Sequence, residues 1–214
     1  MKIIIFGATG MVGQGALREA LLAEDVEQVL AVVRKPTGVR HPKLKEVEPA
    51  DFTDLTPIED DLRGYDACFY CLGVSSVGLD EAAYTRISYD FPIAAAHKLA
   101  ELDPGMVFIY VSGAGTNPDG RAMWARVKGR TELEVIKTFP KGYGFRPGFI
   151  QPTHGATSKT GLYRAGYALT APLTPLLFRL APKYVTSTQR LGLAMLRAAR
   201  TGFPTHIVEN ADLR

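Results

Sequence analysis

Three glycines at intervals of three, Gly7, Gly10 and Gly13, separate an apolar run from an amphipathic one, a spacing that suits an anion. The run before them, Ile3 to Phe6, is what a parallel strand covered on both faces requires. Beyond them, Val12, Ala16, Leu17, Ala20 and Leu21 predict a helix ending near Leu22 or Ala23. A helix that opens straight from a strand leaves backbone N–H groups free at its positive end. A pyrophosphate is the ligand that suits that end. Gly7 permits the tight turn, Gly10 lets the backbone approach phosphate, and Gly13 lets the helix lie close on the strand. With Thr9, Met11 and Val12 they form the candidate cradle for a dinucleotide.

The next strand, Gln28 to Val33, runs into Arg34-Lys35-Pro36, where a dinucleotide fold meets the adenosine ribose. A carboxylate there would hold two ribose hydroxyls. Two cations match a 2′-phosphate instead, with charge-assisted hydrogen bonds of about 1.5–3 kcal/mol each. NADP rather than NAD is the expectation, against a simple pair of exposed cations. Asp51 and Phe52, past a short strand at Lys43–Glu48, are placed to bracket the adenine, though Asp-Phe is also an ordinary turn. The strand Cys68–Leu72 ends in Gly73, so Leu72 and Gly73 are expected beside the cofactor. Cys68 and Cys71 have metal-site spacing, but strand residues three apart point to opposite faces, and no second pair exists. They read as buried thiols, and no metal is expected.

Positioning these residues requires alternating strands and helices. A helical region from Asp80 to Leu102 is interrupted at Pro92, and Ile93, Ala94, Ala96, His97, Leu99 and Ala100 are expected on the sheet. A fifth strand, Met106–Val111, stops at Ser112-Gly113, and a helix carries Arg121 to Glu132. A sixth strand follows at Tyr143–Arg146, then a helix at Thr188–Arg200 and a strand at Thr205–Val208. The fold expected is α/β: a doubly wound, mostly parallel Rossmann sheet with a small C-terminal lobe, residues 151–186, inside a single domain of 214 residues. The site is expected at the C-terminal ends of the first, fourth and fifth strands.

In the order of its motifs the chain resembles the short-chain dehydrogenase/reductase superfamily. The carriers are Gly7-x-x-Gly10-x-x-Gly13, Cys71-Leu72-Gly73, Ser112, Val127-Lys128-Gly129 and Arg146-Pro147-Gly148. It is most similar to the atypical and extended branches, to Tat-interacting oxidoreductase-like proteins and to bacterial epimerase/dehydratase-like chains. The resemblance implies catalytic roles for Ser112, orienting a substrate carbonyl, and Lys128, binding the nicotinamide ribose. It also makes Gly148, Phe149 and Ile150 contacts at the nicotinamide end. Where the superfamily has a catalytic Tyr, four residues before the Lys, this chain has Trp124. An indole donates a hydrogen bond but does not ionise. Three readings stand: Trp124 packs over ligand in a site that only binds, it shapes a pocket where Tyr84, Tyr163 or a water on Ser112 supplies the proton, or it turns into the core. Arg126 and Arg130 are read as solvated.

The function expected is an NADP(H)-binding oxidoreductase-like protein acting on a small carbonyl substrate. The rival is a non-catalytic dinucleotide sensor or assembly factor with a protein partner; an epimerase or dehydratase would lack the same phenol. A net charge of +3 gives no reason to invoke nucleic acid. The apolar stretch from Leu162 to Ala181 is broken by Pro172, Pro175, Arg164 and Arg179, which disfavours a membrane span and leaves membrane-surface contact as a lesser expectation. A monomer or dimer in the cytoplasm is expected, since residues 1–13 read as the cofactor strand and not as a leader.

Overall fold

The structure, a computed structural model, describes residues 1–156, 181 and 183–213. Its centre is β1, Lys2–Phe6, whose side chains alternate between two cores. Ile3 and Ile5 face one apolar cluster, and Ile4 and Phe6 face the other. All four are fully buried, each contributing about 1.5–3 kcal/mol by leaving water.

Around β1 stand β2 (Gln28–Val32), β3 (Leu44–Val47), β4 (Ala67–Tyr70), β5 (Val107–Val111), β6 (Gly142–Arg146) and β9 (Ile207–Glu209). They form one parallel sheet in the order β3-β2-β1-β4-β5-β6-β9. Strand order reverses at β1, so a crevice opens between the C-terminal ends of β1 and β4, where such sheets bind ligands. The mostly parallel, doubly wound α/β sheet expected from the sequence is the one observed. A separate parallel pair, β7 (Phe149–Gln151) with β8 (Val185–Ser187), stands beyond β6.

On one face α1 (Met11–Leu22) packs against α6 (Thr188–Thr201). The other face carries α2 (Glu59–Leu62), α3 (Glu81–Thr85), α4 (Phe91–Leu102) and α5 (Met123–Thr138). The break expected at Pro92 is a π-helical turn, Arg86–Asp90, immediately before it. The Ser88 carbonyl in that turn accepts from the Tyr110 hydroxyl at 3.1 Å and from Thr131 Oγ1 at 2.7 Å, tying the turn to β5 and α5. His97 departs from expectation. It is exposed, 3.7 Å from Glu134, because its position on α4 turns away from the sheet that Ala96 and Leu99 face. Most of the lobe expected at 151–186 lies outside the described residues, Tyr163 included.

Candidate functional site

The opening turn has the geometry its glycines imply. Gly7 holds φ +78°, a conformation that L side chains rarely adopt. A Cβ on Gly7 would stand 2.5 Å from the Leu72 nitrogen, and one on Gly13 would run into the Gly7 carbonyl. Gly10 N–H donates to Gly7 O at 2.9 Å, and the helical ladder starts with Gln14 N–H on Gly10 O at 2.8 Å. The N–H groups of Met11, Val12 and Gly13 therefore have no helical acceptor. Gly10 caps the helix without a side-chain bond, and the first turn carries no acid to compete with an anion.

Arg34 and Lys35 follow β2 and are exposed, and among the described residues no carboxylate pairs with either. Just beyond them Pro36, Thr37 and Val39 form one wall of a cleft of about 690 Å³. The cleft runs along α1 and meets the glycine turn at Ala8 and Thr9. It does not include Ser112, Trp124 or Lys128. Gly73 is exposed, with open space where a Cβ would be, and Leu72 lies against Gly7. Asp51 is exposed, and the Thr53 N–H it accepts at 2.9 Å holds its carboxyl below the usual range.

Two expected contacts belong to the core instead. Phe52 is 5% exposed, its ring 5.7 Å from Phe91 and 6.4 Å from Phe6, so no face is open to an adenine. Tyr84, on α3, is 1% exposed with its hydroxyl pushed up by burial, so it faces the interior and not the crevice. Cys68 is fully buried and Cys71 partly so, both as free thiols, with burial driving Cys71 to about 12. Among the described residues no group of His, Cys, Asp or Glu could hold a metal.

At the end of β5 the expected pair meets. Lys128 Nζ donates to the Ser112 backbone carbonyl at 2.5 Å. Burial lowers the Lys128 ammonium to about 8, with the Glu132 carboxylate pulling the other way. The Ser112 hydroxyl departs from its expected role. Its neighbours are Glu132 Oε1 and, at 3.0 Å, the Phe145 carbonyl. A hydroxyl has one proton, and here it is committed to the interior rather than to a substrate oxygen.

Glu132 was not among the residues read from the sequence. It is 1% exposed and forked by Arg146, with Nε–Oε1 at 3.0 Å and Nη2–Oε2 at 2.6 Å. A carboxylate on the buried stripe of α5, one turn beyond Lys128, was the signal that could have found it. Trp124, one turn before Lys128 on the same face, is half-buried, with Cη2 3.5 Å from where a Cβ on Gly115 would stand. It is therefore not a core aromatic. Arg126 and Arg130 lie at the surface as expected, Arg126 pairing with Glu81 at 3.0 Å and Arg130 over the Tyr89 ring. Gly148 lets β7 approach β8, since a Cβ there would meet the Tyr184 carbonyl, and Phe149 N–H donates to that same carbonyl at 2.8 Å. With Ile150 in the same strand, this segment is fixed by strand pairing.

The chain is similar to FMP52-2 of Scheffersomyces stipitis, 31% identical over 151 residues, covering 68% of this chain and 65% of that protein, so it spans just under two thirds of that relative. FMP52 of Saccharomyces cerevisiae is 27% identical over 184 residues, covering 84% and 77%. Both names carry the word mitochondrial, which overturns the cytoplasmic expectation; the relatives fit the atypical branch. In fold the chain resembles the Bordetella bronchiseptica enzyme WbmF, solved with NAD+, at TM-score 0.72 and 16% identity over 99% of this chain and 76% of that one. The family model that matches, over residues 3–131, runs from β1 into α5 and takes in the glycine turn, Ser112 and Lys128: the chain belongs to the NAD dependent epimerase/dehydratase family.

Proposed function

We propose that this protein is an NADP(H)-binding, oxidoreductase-like member of its family, with Trp124 in place of the usual tyrosine. The observation that carries the preference is the exposed Arg34–Lys35 pair at the end of β2, with no carboxylate on either among the described residues. A 2′-phosphate would meet a guanidinium fork and an ammonium there, where a bare ribose would meet no acceptor for its hydroxyls. Met11, Val12 and Gly13 would cradle the pyrophosphate by N–H groups, Leu72 and Gly73 would flank it, and Lys128 would hold the nicotinamide ribose. When bound, the cofactor supplies or accepts a hydride. Titration calorimetry with NADPH and NADH tests this reading, which requires the phosphorylated form to bind tighter.

A second reading is favoured by the proton inventory. Trp124 cannot ionise, and both acceptors in reach of the single Ser112 proton, Glu132 Oε1 and Phe145 O, are interior. A dinucleotide sensor with a protein partner needs neither group. Turnover of a carbonyl panel only by Trp124→Tyr supports the sensor, and turnover by the natural protein too dismisses it.

A further inference from the structure

We propose that Glu132 is the positioning residue of this site, anchoring the Ser112 peptide so that its carbonyl holds the Lys128 ammonium toward the cofactor crevice. The inference rests on the NADP(H) reading only in what Lys128 is positioned for.

Two strands meet this carboxylate on α5, and a third joins them through Arg146. Ser112 reaches it from the end of β5 and Arg146 from the end of β6, and Arg146 Nη1 continues to Glu209 Oε1 of β9 at 3.0 Å. Space for it is made by Gly144, where a Cβ would come within 2.9 Å of Glu132 Cγ and 3.0 Å of its Cδ. A side chain on β6 at that point would expel the carboxylate. The Ser112 hydroxyl and its N–H, which donates to Phe145 O at 2.9 Å, are both held from the interior side. The remaining polar atom of that residue, its carbonyl, accepts from Lys128.

The charges facing Lys128 are few. Glu132 lies on its own helix, and Arg146 and Glu209 stand beyond Glu132 on β6 and β9. From β5 it meets only the neutral Ser112 carbonyl, and Trp124, one turn before it, does not titrate. Glu132 is the charge among the described residues that favours the ammonium against burial.

The test reads Lys128 without any cofactor. The pH dependence of its acylation by acetic anhydride, followed by mass spectrometry of the Lys128 peptide, is compared between the natural protein and Glu132→Gln. The glutamine keeps the shape and removes the charge. Its labelling midpoint is expected to fall from about 8 by about one unit. Ser112→Ala, which spares the Glu132–Arg146 pair, is the second variant, and it is expected to raise the labelling rate at pH 8 as the carbonyl loosens. Natural midpoint and rate in both folded variants overturn the inference. In a second arm, NADPH affinity at pH 8 is expected to weaken about tenfold in each variant, the worth of one hydrogen bond. A natural protein that binds no NADPH sinks the functional reading, while the labelling arm still decides the role of Glu132.

Discussion

Lys128 and Ser112 meet head to carbonyl: the ammonium donates to the backbone oxygen of Ser112 at 2.5 Å, while the hydroxyl of the same serine faces inward. This inverts the division of labour implied by the family resemblance. Here the serine offers the lysine its backbone carbonyl and turns its hydroxyl to Glu132 and the Phe145 carbonyl, and Lys128 is the titratable group of the pair.

Because burial lowers Lys128 to about 8 from 10.5, its stability contribution has a definite sign. Between those values the unfolded chain binds more protons at this residue than the folded one, so folding gains stability as pH rises. Below pH 8 the full cost of burying the ammonium is present. Relative to Lys128→Met, the natural protein is expected to gain stability from pH 8 to 10.5, as read by urea unfolding across that range. A gap that stays constant or widens in the opposite sense contradicts the burial of this group.

Removing the Arg146 fork leaves the Glu132 carboxylate buried beside one hydroxyl. Breaking such a pair costs about 3–5 kcal/mol. Arg146→Met should therefore lower Tm by about 10 °C for a chain of this size. Calorimetric melting reads the loss, and Glu209→Gln, at the exposed end of the same network, is expected to shift Tm by under about 2 °C.

Gly13→Ala places a methyl against the Gly7 carbonyl, in the turn proposed to cradle the pyrophosphate. Overpacking of this kind costs about 1–3 kcal/mol. NADPH binding should be lost in a protein that still folds, as circular dichroism and calorimetry together would show. Gly73→Ala, where the space is open, should fold with natural stability.

Trp124 is the only tryptophan, so its emission reports on α5 directly. Half-buried against the loop at Gly115, it is expected to be quenched by bound NADPH. Unchanged emission at saturating cofactor would place the indole away from the nicotinamide.

What the residues reveal unaided depends on how local the constraint is. The β1–glycine–α1 turn was legible because only glycine fits a positive φ at Gly7 and the close approach at Gly13. The strands were legible because a doubly covered parallel sheet demands unbroken apolar runs such as Ile3–Phe6 and Val107–Val111. The π turn was not, since one extra residue is invisible in a 3.6-residue pattern and only Pro92 marked its place. Phe52 and Tyr84 were misplaced because an aromatic near a strand or helix end suits a ligand as well as a core, and the packing of Phe52 on Phe6 and Phe91 and the burial of Tyr84 decide which. Glu132 escaped notice because its partners, Ser112 and Arg146, lie 20 and 14 residues away and meet it only once β5 and β6 pair.

The central claim is that a dinucleotide lies on the amino end of α1 with its 2′-phosphate held by Arg34 and Lys35. Calorimetric titration of the natural protein and of the Arg34→Ala, Lys35→Ala double variant with NADPH and with NADH tests it most directly. The account expects NADPH to bind the natural protein more tightly, the double variant to lose about 10- to 100-fold toward NADPH, and NADH affinity to stay as it was. Equal losses for both cofactors, or no heat with either, would contradict it.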